Sequence, residues 1–182
     1  MKIMVLYSTV EGHTAKIAKL LADGLEQKGN EVFVTEPSDQ GYCDPGKFDA
    51  AILCAPIHIG QYPSDFVSFI QNRKSALQDI PTGLVTVSLS IASNHEVERK
   101  EAEGYPQMLI DKTGWTPGQT YNAAGALKYV EYDFFKRWII RRIANAEGGP
   151  IDTSQDHELT DWDDLNAFAA SFLMNTTKEL VN

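Results

Sequence analysis

The sequence predicts an α/β three-layer sandwich, a five-stranded parallel sheet with helices on both faces. Three observations predict it. Apolar runs of strand length alternate along the chain with segments of helical periodicity. Several of those runs are continuously apolar, as expected of strands buried on both faces of a parallel sheet. The first run, Ile3 to Tyr7, breaks into the hydroxyl-rich stretch Ser8 to Thr14 and leads directly into a helix.

The elements follow in order. From His13, Ile17, Leu20, Leu21 and Leu25 recur at helical spacing. Lys28-Gly29-Asn30 ends that helix, and Glu31 to Thr35 reads as the second strand. Ser38 to Lys47, with two glycines and a proline, is loop. Phe48 to Cys54 reads as the third strand, and Ala55 to Ser64 as the loop after it. Asp65 to Lys74 is an amphipathic helix with Phe66, Phe69 and Ile70 on one face. Thr82 to Ser88 is the fourth strand and Leu89 to Asn94 a loop. Glu96 to Thr113 reads as helical at its far end. Tyr121 to Leu127 is the fifth strand, interrupted by Gly125. Asp133 to Ala146 is a helix rich in aromatics and cations. Thr160 to Asn175 is the last helix, capped by Thr160 or Asp161. Strands that alternate with helices pair in parallel through right-handed crossovers.

Composition sets the bounds. The 182 residues are 43% hydrophobic and 23% charged, which fits one domain, 1–182, with an ordinary core. The formal net charge of -9 argues against bulk nucleic-acid binding. Cys43 and Cys54 make no disulfide framework, so a reducing, cytoplasmic setting is the simplest expectation. The apolar runs are too short for a secretory signal or a membrane span.

In parallel sheets of this kind, ligands sit outside the carboxyl ends of the strands, where strand order reverses. The loops after the first, third and fourth strands therefore matter most. In the first, Ser8, Thr9, Val10, Glu11, Gly12, His13 and Thr14 combine hydroxyl donors with a helix start, which suits an anion. The loop lacks the Gly-Lys-Ser/Thr ending of a triphosphate loop and the three spaced glycines of a dinucleotide fingerprint. A terminal monophosphate fits better. The alternative is that Ser8, Thr9 and Thr14 only cap the helix.

The pattern S-T-x-x-G-x-T resembles the phosphate loop of flavodoxin-like FMN proteins, and that resemblance implies two ring-holding loops. The first is Pro56, Ile57, His58, Ile59, Gly60 and Tyr62. Gly60 allows close backbone approach, and His58 and Tyr62 are able to face the ring or its edge. Tyr62 is equally readable as a helix-entry residue, and His58 as an exposed loop residue. The second loop is Ser88, Leu89, Ser90, Ile91 and Ala92.

Further stretches narrow the resemblance. Tyr7-Ser8-Thr9, Ala55-Pro56-Ile57-His58, Ala124-Gly125-Ala126-Leu127-Lys128-Tyr129, Gly148-Gly149, Asp152-Thr153 and Thr160-Asp161-Trp162 make the chain similar, over nearly its whole length, to the flavodoxin-fold protoporphyrinogen dehydrogenases of bacteria. That resemblance implies an FMN enzyme of haem biosynthesis that oxidises a porphyrinogen and passes electrons to a quinone. It implies an insertion, here Ala92 to Pro106, at the substrate face. That segment is acidic where a propionate-binding surface is expected to be basic. Within this reading, His58 is the candidate proton acceptor. Arg99, Lys100 and Lys128 are the candidate propionate partners. The sequence offers no metal cluster.

The basic stretch, residues 133–146, has three readings: peripheral membrane contact where a lipid-soluble quinone is met, a homodimer contact, or a sheet-covering helix with solvated cations. Two functional alternatives stand beside the dehydrogenase. One is an FMN electron carrier whose acidic face meets basic partners. The other is a quinone reductase.

Overall fold

The computed structural model describes residues 1–38, 44–127 and 157–181. Its strands are β1 Lys2–Tyr7, β2 Glu31–Thr35, β3 Ala50–Pro56, β4 Thr82–Ser88, β5 Gln119–Ala124, β6 Ala126–Leu127 and β7 His157–Glu158. Its helices are α1 His13–Glu26, α2 Ser64–Gln78, α3 Glu96–Glu103, α4 Tyr105–Thr113 and α5 Trp162–Val181. The first five strands form one sheet in the order β2-β1-β3-β4-β5. Every pairing within it is parallel.

The continuous apolar runs have a simple cause. Successive side chains on a strand point to opposite faces, and both faces of this sheet are covered. Ile3 and Val5 of β1 join Ile52, Cys54, Val85 and Val87 on one face, beneath Ile17, Leu21, Phe168 and Phe172 of α1 and α5. Met4 and Leu6 join Leu53 and Leu84 on the other, beneath Phe66, Ile70 and Leu109 of α2 and α4, with Trp115 beside them. The edge strand β2 is the exception. Phe33 and Val34 stay exposed, and Phe33 meets Phe48 edge-on at 5.6 Å beneath the Lys2 ammonium.

Several boundaries differ from the sequence reading. β3 begins two residues later and runs two further. Phe48 is taken up by the turn that follows the short helix Pro45–Lys47, and Pro56 still pairs with Val87 of β4. A proline fits there because its missing N–H is not needed, and Ile57 N–H donates to the Val87 carbonyl instead. The segment Glu96–Thr113 is helical at both ends. Gly104 and Pro106 divide it into α3 and α4. Ser93 supports the start of α3 by accepting from the His95 N–H and donating to Glu98. The fifth strand stops at Ala124. Beyond Gly125 the chain leaves the main sheet, and Ala126–Leu127 pairs antiparallel with His157–Glu158. The predicted helix over 133–146 and Lys128 lie outside the described residues.

The last helix starts at Trp162 and is capped by Asp161, which accepts from the N–H groups of Asp163 and Asp164 at 3.1 and 3.0 Å. Thr160 is engaged elsewhere. Replacing Asp161 with Ala removes both hydrogen bonds and is expected to cost about 1 kcal/mol of stability. In urea denaturation this gives a lower midpoint at an unchanged slope. An unchanged midpoint would show that the cap contributes nothing.

Candidate functional site

Strand order reverses at β1, whose partners are β2 on one side and β3 on the other. α1 packs on one face of the sheet there and α2 on the other, so the loops leaving β1 and β3 diverge. An open cleft lies between them at the carboxyl edge of the sheet. It is lined by Thr9, Val10, Glu11, His13 and Thr14 after β1 and by Pro56, Ile57 and His58 at the end of β3. Val87, Ser88 and Leu89 from β4, and Gly125 and Ala126 after β5, complete it.

The loop after β1 is braced and its helix start left open. Gly12, at φ 86°, is the N-cap of α1, a backbone state glycine takes without strain. Its N–H donates to Thr9 Oγ1 at 2.9 Å. The first intrahelical bond is from Lys16 N–H to the Gly12 carbonyl, at 3.2 Å. His13, Thr14 and Ala15 therefore present first-turn N–H groups that have no intrahelical acceptor. No side chain caps α1, and its first turn carries no acidic residue. The reading of Ser8, Thr9 and Thr14 as mere caps thus does not describe this helix. Its positive dipole end, with Thr14, lines the cleft, an arrangement suited to a phosphate or another anion.

Two residues expected in the site lie elsewhere. Ser8 continues the β1–β3 ladder, donating its N–H to the Cys54 carbonyl. Its side chain is turned to the other face of the sheet, where the hydroxyl donates to Asp65 of α2 at 3.2 Å. Tyr62 is only 5% exposed and belongs to the core. Its ring stacks on Phe66 and its hydroxyl bonds Thr86 Oγ1 at 2.7 Å. Burial pushes its phenol well above the ordinary tyrosine range. Tyr62 is a core residue at the entry to α2 and does not line the cleft.

The remaining predicted residues are peripheral to the cleft. Ile59 and Gly60 form a tight turn beyond His58. Ser90, Ile91 and Ala92 form a 3₁₀ turn after β4. Arg99 and Lys100 stand on α3, where Lys100 pairs with Glu96 at 2.6 Å.

Sequence reasoning missed Val87, Gly125 and Ala126 as lining residues. Gly125 carried a signal, since it interrupts an apolar run at the carboxyl end of a strand. Its N–H donates to the Ser88 carbonyl, which carries the sheet edge round to the cleft.

It also missed a clasp built on Thr160 and Trp162. Thr160 Oγ1 donates to the Ala124 carbonyl at 2.6 Å. A hydroxyl has one proton, so the 2.7 Å bond to His13 Nε2 is donated by the imidazole, which fixes its tautomer. Glu158 receives Lys16 of α1 and the Trp162 indole N–H together, and the Lys16 ammonium lies 4.9 Å from the Trp162 ring centroid. β7 and the start of α5 are thereby tied to the first turn of α1 and to the end of β5.

Hydrogen bonding from Lys16 holds the Glu158 carboxyl below the usual glutamate range, with the Trp162 indole adding to it. The sign follows. Stabilisation from a depressed carboxylate is complete above its unfolded-state pKa and is lost as pH falls through the folded-state value. Wild type is therefore expected to melt above Glu158→Gln at neutral pH, with the gap closing as pH falls through the depressed folded-state pKa of Glu158. A gap that persists in acid would show that the charge on Glu158 is not what holds the clasp.

Comparison with known proteins agrees with this geometry. The flavodoxin domain family matches residues 4–154. Protoporphyrinogen IX dehydrogenase (quinone) of Escherichia coli strain K12 is 29% identical, over 98% of each chain. The Leishmania major protein of the same name is 28% identical over 94% of this chain and 74% of its own. Among solved structures, a short-chain flavodoxin associated with a bacterial microcompartment superposes with a TM-score of 0.58 at 18% identity, covering 97% of this chain and 99% of that one. Fusobacterium nucleatum flavodoxin bound to flavin mononucleotide gives a TM-score of 0.54 at 14% identity, covering 98% of each. These structural likenesses bear on the fold.

Proposed function

The chain belongs to the flavodoxin domain family, and on that premise we propose that it is an FMN-dependent protoporphyrinogen IX dehydrogenase that delivers the electrons to a quinone. The observation that carries the reading is the cleft at the β1/β3 switch point, with an uncapped helix start at one end and an apolar, glycine-edged wall along the rest. Support for the substrate comes from the two relatives of that name, one aligned end to end with this chain.

The residues present fit FMN. The first turn of α1, with Thr9 bracing it and Thr14 beside it, would hold the phosphate. Pro56, Ile57, Val87 and Leu89 offer apolar surface to a flat ring, and the Ser88 side chain offers a polar group to its edge. Bound there, FMN supplies a two-electron acceptor that a quinone is able to reoxidise. The protein's part is to orient the ring and to exclude water from its inner face. Each two-electron oxidation of the porphyrinogen releases a proton along with the hydride. His58, in the cleft wall, is the proposed acceptor of that proton on an imidazole nitrogen. The quinone leaves as quinol, having taken two electrons and two protons.

The test is anaerobic. The FMN-loaded protein mixed with protoporphyrinogen IX is expected to lose its visible flavin absorbance, and a menaquinone analogue is expected to restore it. An absorbance that stays unchanged with protoporphyrinogen yet falls with dithionite would overturn the dehydrogenase reading and leave an electron carrier. Thr14→Val, which keeps side-chain volume and removes the hydroxyl, is expected to raise the FMN Kd about tenfold. An unchanged Kd would place the phosphate away from Thr14.

A further inference from the structure

Two successive carbonyls where β5 ends are taken by one short stretch of chain. Leu159 N–H donates to the Gly125 carbonyl at 3.1 Å, and Thr160 Oγ1 donates to the Ala124 carbonyl at 2.6 Å. The Gly125 N–H is held as well, by the Ser88 carbonyl at 3.2 Å. The backbone that carries Gly125 and Ala126 into the cleft lining is thus pinned group by group. The same Thr160 oxygen reaches the opposite wall. His13, the first residue of α1, donates its Nε2–H to it at 2.7 Å. A hydroxyl that gives its one proton to a carbonyl keeps its lone pairs for a donor, so both bonds are made at once.

Thr160 itself is 9% exposed and does not line the cleft. A ligand there meets His13 and Gly125, and feels Thr160 only through them. Other contacts already hold α5 to α1. Glu158 receives Lys16 and the Trp162 indole N–H, and the His13 and Trp162 rings lie 6.1 Å apart. The docking of the two helices therefore does not hang on the Thr160 hydroxyl. What the hydroxyl adds is a direct link between the first residue of α1 and the cleft-lining backbone after β5. A ligand held at both ends gains most when those ends stand at the right separation before it arrives.

We infer that Thr160 is a positioning residue for bound FMN: from outside the cleft, its hydroxyl sets the phosphate turn, through His13, against the Ala124–Gly125 backbone of the opposite wall. The inference rests on the phosphate lying at the start of α1. It is independent of what reduces the flavin, and so of the dehydrogenase reading.

The test titrates the full-length apoprotein with FMN and with riboflavin. Thr160→Val keeps the shape of the side chain and removes both of its bonds. It is expected to raise the FMN Kd about tenfold and the riboflavin Kd less than about threefold. Thr160→Ser restores the hydroxyl and is expected to bind FMN within about twofold of wild type. In a His13→Ala background the bond to position 13 is already gone, so adding Thr160→Val is expected to cost FMN less than about threefold. An unchanged FMN Kd in Thr160→Val overturns the inference. So does a loss that Ser fails to rescue, which would assign the effect to the methyl group. A loss of the same size with and without His13 overturns it too, in favour of a purely structural role. If Thr160→Val does not fold, His13→Ala reads the same bond from its other end, with about a tenfold rise for FMN and less than about threefold for riboflavin. Equal changes for the two ligands would then overturn the inference. Wild type that binds both ligands equally removes the inference and the phosphate placement together.

Discussion

The structure depends on one constraint: the first turn of α1 opens, uncapped, at the point where the strand order reverses. A parallel sheet brings all its carboxyl ends to one edge, and the reversal at β1 separates the covering helices there. First-turn N–H groups with no side-chain cap and no acidic residue within the turn need an acceptor, and an anionic ligand supplies one. Compare α5, whose start is closed by Asp161 and carries Asp163 and Asp164 in its first turn. The start of α5 is closed by its own sequence, whereas the start of α1, which lines the cleft, is left for a ligand to close.

The rest of the site steadies that turn. Thr9 fixes Gly12 from within the loop. Thr160 fixes His13 from the opposite end of the chain, and Glu158 fixes Lys16 one turn on. These contacts join residues nearly 150 positions apart in sequence. They explain in physical terms why Thr160-Asp161-Trp162 and Ala124-Gly125-Ala126 mark the chain. The threonine links the β5 end to α1, the aspartate caps α5, and the tryptophan carries the glutamate that holds Lys16.

The five strands of the parallel sheet and the identity of the carboxyl-edge loops were legible in the sequence because burial on both faces writes itself as unbroken apolar runs. β2 and β4 were readable to the residue, since each is bounded by turn-forming residues or a proline. β3 was harder, because Phe48 extends its apolar pattern while serving a turn, and Asp49 accepts from the Lys2 N–H instead of entering the strand. Side-chain direction was less legible still. Ser8 and Tyr62 have the right chemistry for the cleft, and only the pleat of β1 and the depth of α2 send them to the core. The clasp left almost no local trace, because both of its halves look like ordinary helix starts until the fold joins them.

The central claim is that the start of α1 binds a phosphate, and comparing FMN with riboflavin tests it most directly. The two ligands share the ring and differ in the phosphate. Isothermal titration of the purified apoprotein is predicted to show FMN binding at least about a hundredfold more tightly than riboflavin, since several charge-assisted hydrogen bonds are at stake. Equal affinities would contradict the account, because the ring would then bind without help from the turn around which the site is built.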